Sequence, residues 1–110
     1  MKTLPLTLFR RWFIDILEGV KTEEYREIKL YWAKRLFQDY DTVTFRNGYA
    51  KDAPVMIVEF KGVEVKEIYH PIHHQPMTVF AVKLGRILET KNTDKLVSNK
   101  QLETALSYKD

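Results

Sequence analysis

Gly19 is the residue that most restricts how this chain can fold. It follows a run in which Phe9, Trp12, Phe13, Ile16 and Leu17 recur at helical spacing. Glycine readily takes the left-handed conformation that ends a helix, so a helix is expected over 9–18 with Gly19 as its C-terminal cap. That helix should bury Phe9, Phe13, Ile16 and Leu17 and leave Arg10, Arg11, Asp15 and Glu18 outside. Beyond the glycine, 22–28 reads as extended chain, in which alternate side chains share a face. Glu24 and Arg26 then point the same way. Lys21, three residues before Glu24, would point the other way in a regular strand. It can meet Glu24 only from the connection ahead of the strand, and that is the expected arrangement.

The rest of the chain divides at its turn signals. A first strand over 3–8 carries Pro5, which lacks a ladder donor and places the strand at an edge. A second helix is predicted over 29–38, with Trp32 and Leu36, and Ala33 and Phe37, four apart; it should stop by Gln38 or Asp39, where acidic residues oppose the helix dipole. A strand over 42–46 meets the tight-turn pair Asn47-Gly48, and 47–54 forms one loop ending at Pro54. The next strand, 55–60, is apolar on both faces and so central. Lys61-Gly62 is expected to turn the chain into a half-exposed strand over 63–69. A loop over 70–76 holds two prolines and three histidines, and a long strand over 77–88 is broken by Gly85, a bulge or bend. The count is six strands and two helices. Residues 1–90 read as one domain and 91–110 as a polar tail, in which Ser98 could cap a short helix over 99–107.

Composition narrows the class. A chain of 110 residues, 45% of them hydrophobic, can fill one core but not two. Eighteen lysines and arginines against 15 acids give a net charge of +3, a bias that permits a polyanionic partner without requiring one. Cysteine is absent, which removes disulfides, thiol catalysis and thiolate metal sites and fits a reducing, cytoplasmic setting. The apolar run 4–9 ends at Arg10 and Arg11, far short of the ~20 residues that span a bilayer, so no membrane association is expected.

The pattern Gly19, Lys21, Glu24, Arg26 resembles the signature of the ASCH domain, a family related in fold to the PUA domains of RNA-modifying enzymes. Other stretches are similar to its small bacterial and phage members: 24–29 (Glu-Tyr-Arg-Glu-Ile-Lys), Tyr31-Trp32, 46–49 (Arg-Asn-Gly-Tyr) and 80–85 (Phe-Ala-Val-Lys-Leu-Gly). The likeness covers about residues 3 to 90. It implies an α+β, PUA-like fold, a small antiparallel β-barrel of about six strands with two helices beside a cleft, and a ligand in that cleft: RNA or a modified nucleoside. Gly19, Lys21, Glu24 and Arg26 would form the floor.

Arg26 could recognise a phosphate or base edge through its planar fork, and Lys21 could do so as a point charge. Glu24 would orient both or accept from an exocyclic amine. Without the resemblance, these residues read as a solvated edge strand with cross-strand ion pairs. Some ASCH proteins that this chain resembles are amidohydrolases that deacetylate N4-acetylcytidine with a Lys, a Thr nucleophile and a Glu. The Lys falls on Lys21, but the Thr position is occupied by Glu24, Thr22 is displaced by two residues, and the third residue has no counterpart. Were the chain an enzyme, Lys21 and Glu24 would be its catalytic residues, Glu24 as general base and Lys21 at the oxyanion. A protein-interaction module is the other alternative.

Trp32 and Tyr49 could stack on a base, with Tyr31 and Tyr69 as further aromatic surfaces, although such residues more often fill cores. His70, His73 and His74 have spacings that would suit a metal on a helix, but Pro71 and Pro76 argue for a polar loop near the cleft mouth. No metal or other cofactor is called for. Arg10, Arg11, Lys29, Lys34, Arg35 and Arg46 could form a basic stripe or simply a solvated surface.

Overall fold

The computed structural model describes residues 1–94 and 96. Five strands and two helices alternate early and then give way to strands alone: β1 (Thr3–Thr7), α1 (Arg10–Leu17), β2 (Glu23–Glu27), α2 (Leu30–Leu36), β3 (Thr42–Arg46), β4 (Val55–Tyr69) and β5 (Pro76–Lys91). They form one sheet in the order β1-β3-β4-β5-β2, so β1 and β2 are its two edges. This is an α+β fold on a mixed sheet.

Pro5 does lie in an edge strand, but β1 runs parallel to β3, from Thr3 opposite Thr42 to Thr7 opposite Arg46. The purely antiparallel arrangement that the resemblance implies is corrected here. With α1, β2 and α2 between them, β1 and β3 have the long crossover that parallel neighbours require. The remaining pairs, β3 with β4, β4 with β5 and β5 with β2, are antiparallel.

The expected turn at Lys61-Gly62 is also overturned. β4 continues through it as one strand of 15 residues, and the pairing of Phe60 with Leu84 and Val63 with Val82 leaves two residues of β4 opposite one of β5. Gly62, at φ 103°, accommodates this bulge. A glycine beside a lysine thus bends a strand instead of ending it, and six expected strands become five. Gly85 lies in a second irregularity, where three steps of β5 match two of β4. A Cβ there would stand 2.7 Å from Lys61 Cε and 2.9 Å from Glu59 Cβ.

Alternation along the strands builds the core. Leu4, Leu6, Val43, Phe45, Met56, Val58, Phe80 and Val82 join Phe13 and Ile16 of α1 and Leu36 of α2. Phe9 is a correction: it precedes the first helical residue as N-cap and is 81% exposed, while Ile14 is buried in its stead. Leu96 packs on this core from beyond β5. The helix considered for 99–107 lies outside the described residues. Among the described residues, no helix is long and apolar enough to cross a membrane.

Candidate functional site

Gly19, at φ 77°, ends α1 in a left-handed turn: its N–H donates to Ile16 O at 3.0 Å and that of Val20 to Asp15 O at 2.9 Å, the paired bonds of a Schellman cap. The Lys21 N–H also reaches Asp15 O, at 3.0 Å, which folds the connection back on the helix end. Lys21 therefore precedes β2, and its Nζ comes within 3.0 Å of Glu24 Oε1. From the same face of β2, Arg26 Nη2 donates to Glu24 Oε2 at 2.8 Å.

Glu24 is only 4% exposed. An unpaired carboxylate at such a depth would carry a large desolvation cost; one cation on each oxygen offsets it. The cations are held in turn by aromatic rings. Lys21 Nζ lies 4.5 Å from the Trp12 ring and 5.1 Å from that of Tyr25, and the Arg26 guanidinium lies 4.8 Å from the Trp32 ring. Two cations against one carboxylate leave the cluster positive. Arg26 Nε is buried without a hydrogen-bond partner among the described residues.

These three side chains line a cavity of about 700 Å³. Its wall includes Tyr25 and Glu27 from the opposite face of β2, Thr7 from the end of β1, and Trp12 from α1, so the cavity follows the free edge of β2. Arg26 spans the gap between the two sheet edges by donating to Thr7 O at 3.3 Å. Tyr49 lines the mouth and is 89% exposed. Gly19 and Trp32 do not line the cavity: the first shapes the turn that delivers Lys21, and the second packs behind Arg26. Thr22 is exposed and outside the lining.

Several lining residues were not legible as such. Trp12 reads as one more apolar position of a helix, and Tyr25 faces away from Glu24 in an alternating strand; both reach the cavity because it sits at an edge. Asn47 reads as a turn residue, yet its side chain donates to Leu8 O at 3.1 Å and ties the β3–β4 loop to the end of β1. His70 of the histidine loop also lines the cavity. Its Nδ1 accepts from the N–H groups of Ile72 and His73, both at 3.1 Å, so in the neutral ring the proton is on Nε2. Among the described residues, no three histidine, aspartate or glutamate side chains are grouped to hold a metal ion.

A second charged group lies on the other face of β2. Glu23 Oε1 receives Lys66 Nζ at 2.7 Å and Tyr25 Oη at 3.0 Å. The Lys66 bond holds the Glu23 carboxyl below its usual range, and the same bond raises Lys66. Burial, then the bond to Glu23, pushes the Tyr25 phenol up.

Comparison of the chain with protein-family models, curated proteins and solved structures finds no match.

Proposed function

We propose that the chain is an ASCH-type, PUA-like domain, its curled sheet a small open barrel, that binds RNA or a modified nucleoside in the cleft along β2, in the cytoplasm. The observation that carries this reading is the buried Glu24 carboxylate held between Lys21 and Arg26 on the wall of a cavity with the volume usual for small-ligand sites, roughly 300 to 1,000 Å³. The resemblance of residues 3 to 90 to that family supports it independently.

The chemistry suits a base or nucleotide. Arg26 and Lys21 leave a positive cluster for a carbonyl or phosphate oxygen. Glu24, although paired on both oxygens, has acceptor positions left for an exocyclic amine, since a carboxylate offers about four. Trp12 and Tyr25 give the apolar wall that a flat ring needs.

The 3.0 Å contact of Lys21 with Glu24 favours a second reading, hydrolysis of an N4-acetylcytidine-like amide, with Glu24 activating water. Position 24 has no hydroxyl nucleophile, and Thr22 lies outside the cavity. Binding is therefore preferred. Mass spectrometry of nucleosides and oligonucleotides released from the purified protein tests it, together with an assay for acetate and cytidine from N4-acetylcytidine. Retained nucleoside or RNA without turnover is expected. Turnover abolished by Lys21→Ala would establish the hydrolase in its place.

A further inference from the structure

We propose that Phe9 and Tyr49 form a stacking rim for the nucleotides that flank the one in the cleft, so that the cleft's ligand is part of a single-stranded polynucleotide and not a free nucleoside. The inference rests on the nucleoside-binding reading of the cleft and adds the class of molecule that carries the base.

Both rings are almost fully in solvent, Phe9 at 81% and Tyr49 at 89%, and both line the cavity. Neither belongs to the core. They come from different connections, Phe9 from β1 to α1 and Tyr49 from β3 to β4, and two hydrogen bonds join these connections into one rim. Leu8 N donates to Arg46 O at 2.8 Å, and Asn47 Nδ2 donates to Leu8 O at 3.1 Å. The loop bearing Tyr49 is internally braced as well: Arg46 Nη2 and Ala53 N both donate to Ala50 O, and Asn47 N donates to Pro54 O.

A loop held by so many bonds fixes the backbone that carries the ring, which lowers the ordering cost of binding. Sequence-tolerant recognition of single strands uses such exposed rings, because every base has a face to stack on. Arg10, exposed and next to Phe9, also lines the cavity and gives the rim a cation for the phosphate between two stacked bases. A free nucleoside, by contrast, leaves nothing for the rim to hold once its base is beside Glu24.

The test is titration of the full chain with a mononucleoside and with short single-stranded RNA and DNA oligomers, for the wild type, Phe9→Ala, Tyr49→Ala, the double variant and Glu24→Gln. The two rim side chains are exposed, so their removal leaves the core intact. The expected result is oligomer binding tighter than nucleoside binding and a loss of roughly tenfold in oligomer affinity for each ring, larger than any loss in nucleoside affinity; equal losses for the two ligands would assign the rings to the nucleoside and overturn the rim. Glu24→Gln should weaken both ligands. Oligomer binding that survives the double variant, or a nucleoside bound as tightly as the oligomer, overturns the rim and leaves the cleft reading standing. Absence of both ligands from the wild type overturns the two together.

Discussion

Arg26 of β2 donates to the carbonyl of Thr7 on β1 across 3.3 Å, joining by a side chain the two sheet edges that no backbone ladder joins. The same guanidinium nitrogen holds Glu24 at 2.8 Å. One residue thus couples the bridge between the two sheet edges to the charge cluster of the cleft.

Arg26→Lys keeps the charge but loses the terminal Nη2, which the longer, planar guanidinium holds in reach of both acceptors. It should lower stability by about 1.5 to 3 kcal/mol, the usual worth of a charged hydrogen bond. Amide hydrogen exchange should quicken first along β1 and β2. Denaturant unfolding and exchange mapping check this; uniform acceleration over the whole sheet would argue against a local bridge.

Glu24→Gln leaves Lys21 and Arg26 facing each other without a counter-charge. A melting temperature below that of the wild type is expected, by about 1 to 3 kcal/mol of stability. Restoring the hydroxyl carried by the resembled hydrolases, in Glu24→Thr, should not create full N4-acetylcytidine turnover, since Thr would face Lys21 without the third residue of their triad. Chromatography of released cytidine reads this directly.

The Glu23, Lys66 and Tyr25 group has a pH signature. The lowered Glu23 contributes stability that is present above the ordinary carboxylate range, roughly pH 4, and is lost as pH falls through its folded value. The raised Tyr25 and Lys66 contribute stability that is present below about pH 10 and lost as pH rises through their folded values. In an ultraviolet titration the Tyr25 phenolate should appear later than in an unfolded chain. In Glu23→Gln it should move back toward the ordinary value without reaching it, because burial is the larger cause. A Tyr25 titration unaffected by that substitution would contradict the assignment.

Gly85→Val should destabilise the β4–β5 bulge, since even a Cβ would meet Lys61 and Glu59 closer than 3.0 Å. Overpacking of this kind costs about 1 to 3 kcal/mol. Gly85→Ala should cost less, since it adds no atoms beyond the Cβ and Lys61 can swing aside, but it still meets Glu59 Cβ at 2.9 Å and should remain below the wild type. Thermal unfolding of the two variants gives the order.

Much of this architecture was legible because local chemistry and tertiary demand agree in the first half of the chain. Gly19 at a helix end, Pro5 in an edge strand and Asn47-Gly48 after a short strand each leave few backbone options. Parity alone would set Lys21 and Glu24 on opposite faces; they meet because Lys21 lies ahead of β2, the one placement that lets them. Legibility failed where one local signal has two outcomes. Lys61-Gly62 can turn a chain or bulge a strand, and the choice depends on how far β5 continues beside it. The parallel pairing of β1 with β3 is a long-range event with no local signature. Phe9 was read as core because helical periodicity does not tell an N-cap from a first buried turn. The cavity's aromatic wall escaped notice for a related reason: at a sheet edge both faces of β2 reach one cleft, and alternation no longer separates inside from outside.

The central claim is that the Lys21, Glu24 and Arg26 cluster binds a base. Titration of the wild type and Glu24→Gln with cytidine, N4-acetylcytidine and a short single-stranded RNA, followed by the fluorescence of Trp12 beside Lys21 and Trp32 beside Arg26, tests it most directly. Saturable binding by the wild type, weakened about tenfold or more in a folded Glu24→Gln, is the predicted result. No binding by the wild type of either nucleoside or of a short single-stranded RNA, or equal affinity in the two proteins, would contradict it.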